Sequence, residues 1–159
     1  MQETSEKPIY ELLRPDTVQV DLPGESKEEI INNMLELIKE HPAVDDLEAV
    51  RKAVWQREEV MSTGVGKGLG LPHAKTGAVS RTVAAFGITK EPVDFDAIDD
   101  KPVQLVFLLV GRENAKSQHI RILSHVSRLM NQQSFRSKLI DSENADDVLK
   151  LFRMVDEDR

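Results

Sequence analysis

The chain has 159 residues, of which 40% are hydrophobic and 31% charged, with a formal net charge of −7 and no cysteine. This length suffices for one domain with its own core, and the missing cysteines exclude disulfides, thiolate chemistry and cysteine-ligated zinc. Acids spread along the chain argue against the basic stripe that a nucleic-acid binder turns toward phosphates. No run of about eighteen apolar residues is present to span a membrane. The N-terminus, MQETSEKPIY, lacks the basic and then apolar pattern of a secretory signal, so the expected compartment is the cytoplasm.

A single domain over 1–159 is expected, with about 1–9 and 154–159 loosely ordered and Ile9, Leu12 and Leu13 as candidates to dock on the core. TVQVDL (17–22) alternates Val18, Val20 and Leu22 with polar residues, the pattern of a half-buried strand. Ser26 and Glu29 form a capping box that opens a helix with Ile30, Ile31, Met34, Leu35 and Ile38 on its buried face. Pro42 disfavours helical geometry at His41 and is expected to end the helix there. A second helix, starting at Asp45 or Asp46, carries Leu47, Val50 and Val54 on one stripe and runs to about Glu59, with Arg57 at the edge of that stripe.

Residues 61–76, MSTGVGKGLGLPHAKT, hold too many glycines for a helix. They predict an extended stretch with one bare side, ending at Pro72-His73. TVAAFGIT (82–89) and VQLVFLLV (103–110) are apolar on both parities, as in central strands covered on both faces. The intervening KEPVDFDAIDDKP supplies turns and a short edge strand. A helix is expected over Ser117–Met130, then one or two short helices within 132–153. Strands interleaved with helices predict an α/β fold: a three-layer domain whose mixed sheet has helices on both faces.

The glycine segment fits neither familiar nucleotide motif. A P-loop requires Ser or Thr after Gly-Lys, but Gly68 follows Gly66-Lys67; a dinucleotide fingerprint requires glycine where Leu69 or Leu71 stands. Of the four histidines, His41 and His125 read as surface residues. His119, four residues before Leu123 on the apolar stripe of its helix, reads by default as a satisfied core histidine. His73 ends the glycine run behind a stiff proline. No spacing resembles a zinc motif.

REEVMSTGVGKGLGLPHA (57–74) resembles the active-site signature of the type-2 enzyme IIA family (fructose, mannitol and nitrogen type) of the bacterial phosphoenolpyruvate-dependent phosphotransferase system. VDFDAIDDKPVQLVFLLVG (93–111) and the following QHIRIL are similar to the family's next landmarks, so the resemblance spans roughly residues 10–153. Ala74 and Lys67 depart from its commonest pattern. The resemblance implies that His73 accepts the phosphoryl group, His119 stands beside it, Arg57 contacts the phosphoryl oxygens, and Ser62 and Thr63 line the site. It also implies phospho-HPr, or a nitrogen-branch homologue, as donor, a IIB domain as acceptor, and no cofactor or metal. The alternative is a nitrogen-type regulatory IIA whose phosphorylation state controls binding to target proteins.

Overall fold

The computed structural model describes residues 9–157. Six strands form one mixed sheet: β1 (Val18–Leu22), β2 (Gly64–Gly66), β3 (Leu69–Gly70), β4 (His73–Thr76), β5 (Val83–Val93) and β6 (Val103–Arg112). The order is β1-β5-β6-β3-β2, and β4 also pairs with β6, in parallel. The long central pair β5/β6 is antiparallel, with Phe86 opposite Phe107. Both strands are buried on both parities, as their continuous apolar runs require.

Each parity meets its own helical layer. Phe86 and Phe107 face α1 (Ile9–Leu12), α4 (Lys116–Met130), α5 (Gln133–Ile140) and α6 (Ala145–Glu157), with Phe135 and Phe152 interleaved among them. The opposite parity, Ala85, Val106 and Leu108, meets α2 (Lys27–Leu37) and α3 (Leu47–Val60) through Ile31, Met34 and Val50. Gly87 belongs to this second face, where a Cβ would stand 2.7 Å from Met34 Sδ; glycine lets α2 approach the sheet that closely.

Local signals set most boundaries. Ser26 Oγ accepts from the Glu29 N–H at 3.1 Å, while the Glu29 carboxylate accepts from the Glu25 N–H, one residue further back than a standard capping box. Asp46 caps α3 by accepting from the Ala49 N–H. Helix α2 stops earlier than expected, because the chain tightens after Leu35 into successive i→i+3 bonds that carry it to His41.

Four expectations are corrected. His41 is buried, because that turn folds it inward and its Nδ1 accepts from the Ala43 N–H at 3.0 Å. His125 is half-buried and has a partner. The glycine run folds back on itself as the β2/β3 hairpin, with positive φ at Gly66, Lys67 and Gly68 turning the corner. Strand β5 continues past Thr89 to Val93, leaving no separate edge strand in that region. Ile9 is buried and α6 runs to Glu157, while residues 1–8 and 158–159 lie outside the described range.

Phe152 joins α6 to the rest of its layer, its ring contacting those of Phe86, Phe107 and Phe135 with centroids 5.3–6.4 Å away. Phe152→Ala is expected to cost about 3–5 kcal/mol in urea-induced unfolding, the usual range for a fully buried aromatic truncated to alanine. A loss near zero would mean that α6 contributes little to the core.

Candidate active site

Strand β4 presents His73 and is held by β6, with His73 opposite Leu109 and Lys75 opposite Gly111. Just beyond β6 the chain turns into α4, whose first turn carries His119 back over the sheet. That ring lies directly against Gly111, where a Cβ would stand 2.8 Å from His119 Nδ1. The two imidazoles thereby face each other with centroids 5.6 Å apart and planes tilted by 48°. They share an open hollow of about 380 Å³ with Gln56 and Arg57 from α3, Lys75 from β4 and Ile120 from α4. The Arg57 guanidinium donates to the Met61 carbonyl at 2.8 Å, which holds it at the C-terminal end of α3.

The tautomer of His73 follows from its partner. Nδ1 lies 2.8 Å from the Leu71 carbonyl, which only accepts, so Nδ1 carries the proton and Nε2 keeps a lone pair. Burial lowers the His73 pKa and the nearby Arg57 charge lowers it further; the Leu71 carbonyl and Glu58 oppose the shift in part. Burial, with added repulsion from His73 and Lys75, pushes His119 down to about 4. Both rings are therefore neutral at pH 7.

His119 is 5% exposed, and among the described residues neither of its ring nitrogens has a hydrogen-bond partner. A buried core imidazole would normally be satisfied, since leaving a polar group unpaired costs about 1–3 kcal/mol. The default expectation of a satisfied core histidine therefore fails for His119. Its buried stripe also differs in detail, running through Ile122, Val126 and Leu129, with Leu123 only half-buried.

Arg57, His73 and His119 come together, but Ser62 and Thr63 do not join them around the hollow. The Ser62 hydroxyl donates to the Phe95 carbonyl and accepts from the Gly64 N–H. The Thr63 hydroxyl donates to Glu58 Oε1 at 2.5 Å. Glu58 itself is a residue that the sequence reading overlooked. It is 5% exposed, pairs with Lys27 Nζ at 2.8 Å and accepts from the Thr63 N–H at 3.0 Å. The i,i+4 spacing from Val50 and Val54 was the available signal, since it continues the buried stripe of α3 onto a carboxylate. At the hairpin tip, the Asp99 carboxylate accepts from the Lys67 N–H at 2.9 Å, and Lys67 Nζ donates to Asn131 Oδ1. Among the described residues no group of three or more His, Asp or Glu could hold a metal ion, and no helix is long and apolar enough to cross a membrane.

The α/β sandwich thus gathers two neutral histidines and an arginine around one hollow. The chain belongs to the family described as phosphoenolpyruvate-dependent sugar phosphotransferase system, EIIA 2, whose model matches residues 11–154. It is 38% identical over 133 residues to the PTS system fructose-specific EIIA component of Haloferax volcanii, covering 84% of this chain and 86% of that protein. It is 33% identical over 148 residues to the fructose-specific EIIABC component of Bacillus subtilis, covering 93% of this chain but only 23% of that longer protein. The crystal structure of nitrogen regulatory protein IIA-Ntr from Neisseria meningitidis superposes with a TM-score of 0.84 at 33% identity, covering 91% of this chain and 98% of that one.

The lowered histidine pKa values have a definite sign in stability. Between pH 6.5 and about 4 the unfolded chain takes up a proton that folded His119 refuses, so stability rises with pH across that window and falls on acidification. His73 and His41 act in the same direction. Urea unfolding at pH 7.5 and pH 5 should therefore show a smaller acid-induced loss in His119→Gln, which cannot titrate, than in the parent chain. Equal losses would remove His119 as a source of the pH dependence.

Proposed function

We propose that this domain is a phosphohistidine carrier in which Nε2 of His73 accepts a phosphoryl group from phospho-HPr, or a nitrogen-branch homologue of it, and passes it to a IIB domain. The observation that carries this reading is the His73 ring itself, with its Nδ1–H committed to the Leu71 carbonyl and its Nε2 free beside the unpartnered His119. A neutral imidazole has the nucleophile that the step needs at pH 7. As the new P–Nε2 bond forms, the P–N bond to the donor imidazole breaks and that ring leaves with its own electron pair. His73 keeps its Nδ1 proton throughout, and the Leu71 carbonyl stabilises the positive charge that phosphorylation places on the ring.

Phosphoryl transfer depends mainly on positioning and on balancing spread negative charge. Arg57 supplies a planar fork of donors suited to phosphoryl oxygens, and Lys75 adds a second positive charge at the rim. Neutral His119 carries one ring proton that it can donate to the transferring group. Glu58 acts through others: its bonds to Thr63 and Lys27 fix the corner between α3 and β2, which sets where Arg57 stands.

A second reading, a nitrogen-type regulator whose phosphorylation state governs binding to target proteins, draws support from the likeness to IIA-Ntr. Adding a purified IIB domain to the phosphorylated protein separates the two. Rapid loss of the phosphoryl group marks the carrier, whereas retention together with phosphorylation-dependent target binding marks the regulator.

Intact-mass measurement after incubation with phospho-HPr should show one added phosphoryl group, absent from His73→Ala. Arg57→Lys should remain folded and accept the group on the order of a hundredfold more slowly, the usual effect of losing one charge-stabilising contact in the transition state. An undiminished mass gain in His73→Ala would overturn the assignment of the acceptor.

A further inference from the structure

A second hollow, of about 400 Å³, opens where the end of α1 and the turn that follows it, the start of β5, the end of β6 and the first turn of α4 meet. Among the described residues it shares none with the hollow around His73. Among the described residues its polar lining consists mainly of donors, Arg14, Arg81, Arg112, His41 and Gln118, with Glu11 as the one carboxylate. Such a concentration of positive charge is unexpected in a chain of net charge −7.

The donors are largely uncommitted. Among the described residues, the guanidinium groups of Arg81 and Arg112 form neither hydrogen bonds nor ion pairs. Arg14 pairs through Nε with Asp16 at 3.1 Å, leaving its two terminal nitrogens unused. Gln118 accepts through Oε1 from the Thr82 hydroxyl at 3.4 Å, which leaves its amide N–H groups free.

His41 supplies an independent indication. It is 8% exposed, and its Nδ1 accepts from the Ala43 N–H, so its ring proton must sit on Nε2. Among the described residues that N–H has no hydrogen-bond partner, and it belongs to a residue lining the hollow. The positive field there is strong enough that Arg14 and Arg81 help hold His41 below its ordinary pKa, with burial the larger cause and Asp16 opposing. Cations gathered beside a neutral imidazole donor repel one another unless an anion joins them.

We propose that this hollow is a binding site for a small phosphate monoester. Three guanidiniums, one imidazole N–H and one amide offer more donors than a single carboxylate accepts, whereas a phosphate monoester presents three strong acceptor oxygens. Guanidinium forks match those oxygens in pairs. The volume is within the range of small-molecule sites and exceeds what one phosphate group fills. Gln118 directly precedes His119 and Arg112 directly follows Gly111, so an occupant here would contact the same strand end and helix start that hold the reactive histidines.

Titration calorimetry of the intact protein with glycerol 3-phosphate, inorganic phosphate and succinate tests this. The ester is expected to bind most tightly. Arg81→Ala and Arg112→Ala should each weaken it on the order of tenfold or more, as for loss of a hydrogen bond to a charged group. Arg57→Ala and His73→Ala should bind the ester as the parent does, which separates this site from the transfer site. The hollow is exposed, so the circular dichroism melt of Arg81→Ala and Arg112→Ala should match the parent. Equal affinity for ester and inorganic phosphate would reassign the hollow to free phosphate and overturn the monoester. Equal or tighter succinate binding, no binding at all, or a loss confined to Arg57→Ala would overturn the site.

Discussion

The parallel pairing of β4 with β6 is the constraint on which the site depends. Four consecutive register pairs place His73 beside Leu109 and Lys75 beside Gly111. Everything downstream of β6 is then fixed relative to His73, because α4 begins only a few residues later and must return over the sheet. Were the register to slip by one residue, His73 would point to the other face, since alternate strand residues face opposite sides. The β5/β6 core resists such a slip: Val106, Leu108 and Val110 are fully buried on one face and Phe107 and Leu109 on the other.

A second constraint acts from the helical side. Glu58 is a buried charge, and taking a carboxylate out of water costs several kcal/mol unless partners compensate. Here Lys27, the Thr63 hydroxyl and the Thr63 N–H all converge on it. Because Lys27 begins α2, the contact ties three separate segments together at the neck of the glycine hairpin. Such a pair adds little net stability over an apolar substitute, but its geometry is specific. Ser62, bound to the Phe95 carbonyl, closes the same corner from the other side.

Much of this was legible in the sequence. The cap at Ser26, a second helix starting at Asp45 or Asp46, two doubly buried strands and the helix after β6 follow from side-chain chemistry and periodicity alone. Arg57, His73 and His119 were named through the resemblance, and the fold brings them to one hollow. Less accessible were features that depend on what folds against what. Nothing local marks His41 as buried, because its burial comes from a turn that folds it inward. Ser62 and Thr63 sit in the signature, yet their hydroxyls reach Phe95 and Glu58, partners set by tertiary contact. Gly111 reads as an ordinary strand glycine until the ring of His119 is seen lying against it.

The hairpin tip at Lys67 shows how a glycine-lysine-glycine loop can have its anion-facing amide already occupied. Three successive positive φ angles, at Gly66, Lys67 and Gly68, give a sharp turn of the kind that can expose amides to an anion. The amide of Lys67 is already taken by the Asp99 carboxylate, which this bond and that from Lys101 hold below its usual pKa. The loop thus carries a built-in anion, tethered to the same chain and present at a high effective concentration. An incoming anion would therefore have to displace that tethered carboxylate from the Lys67 amide.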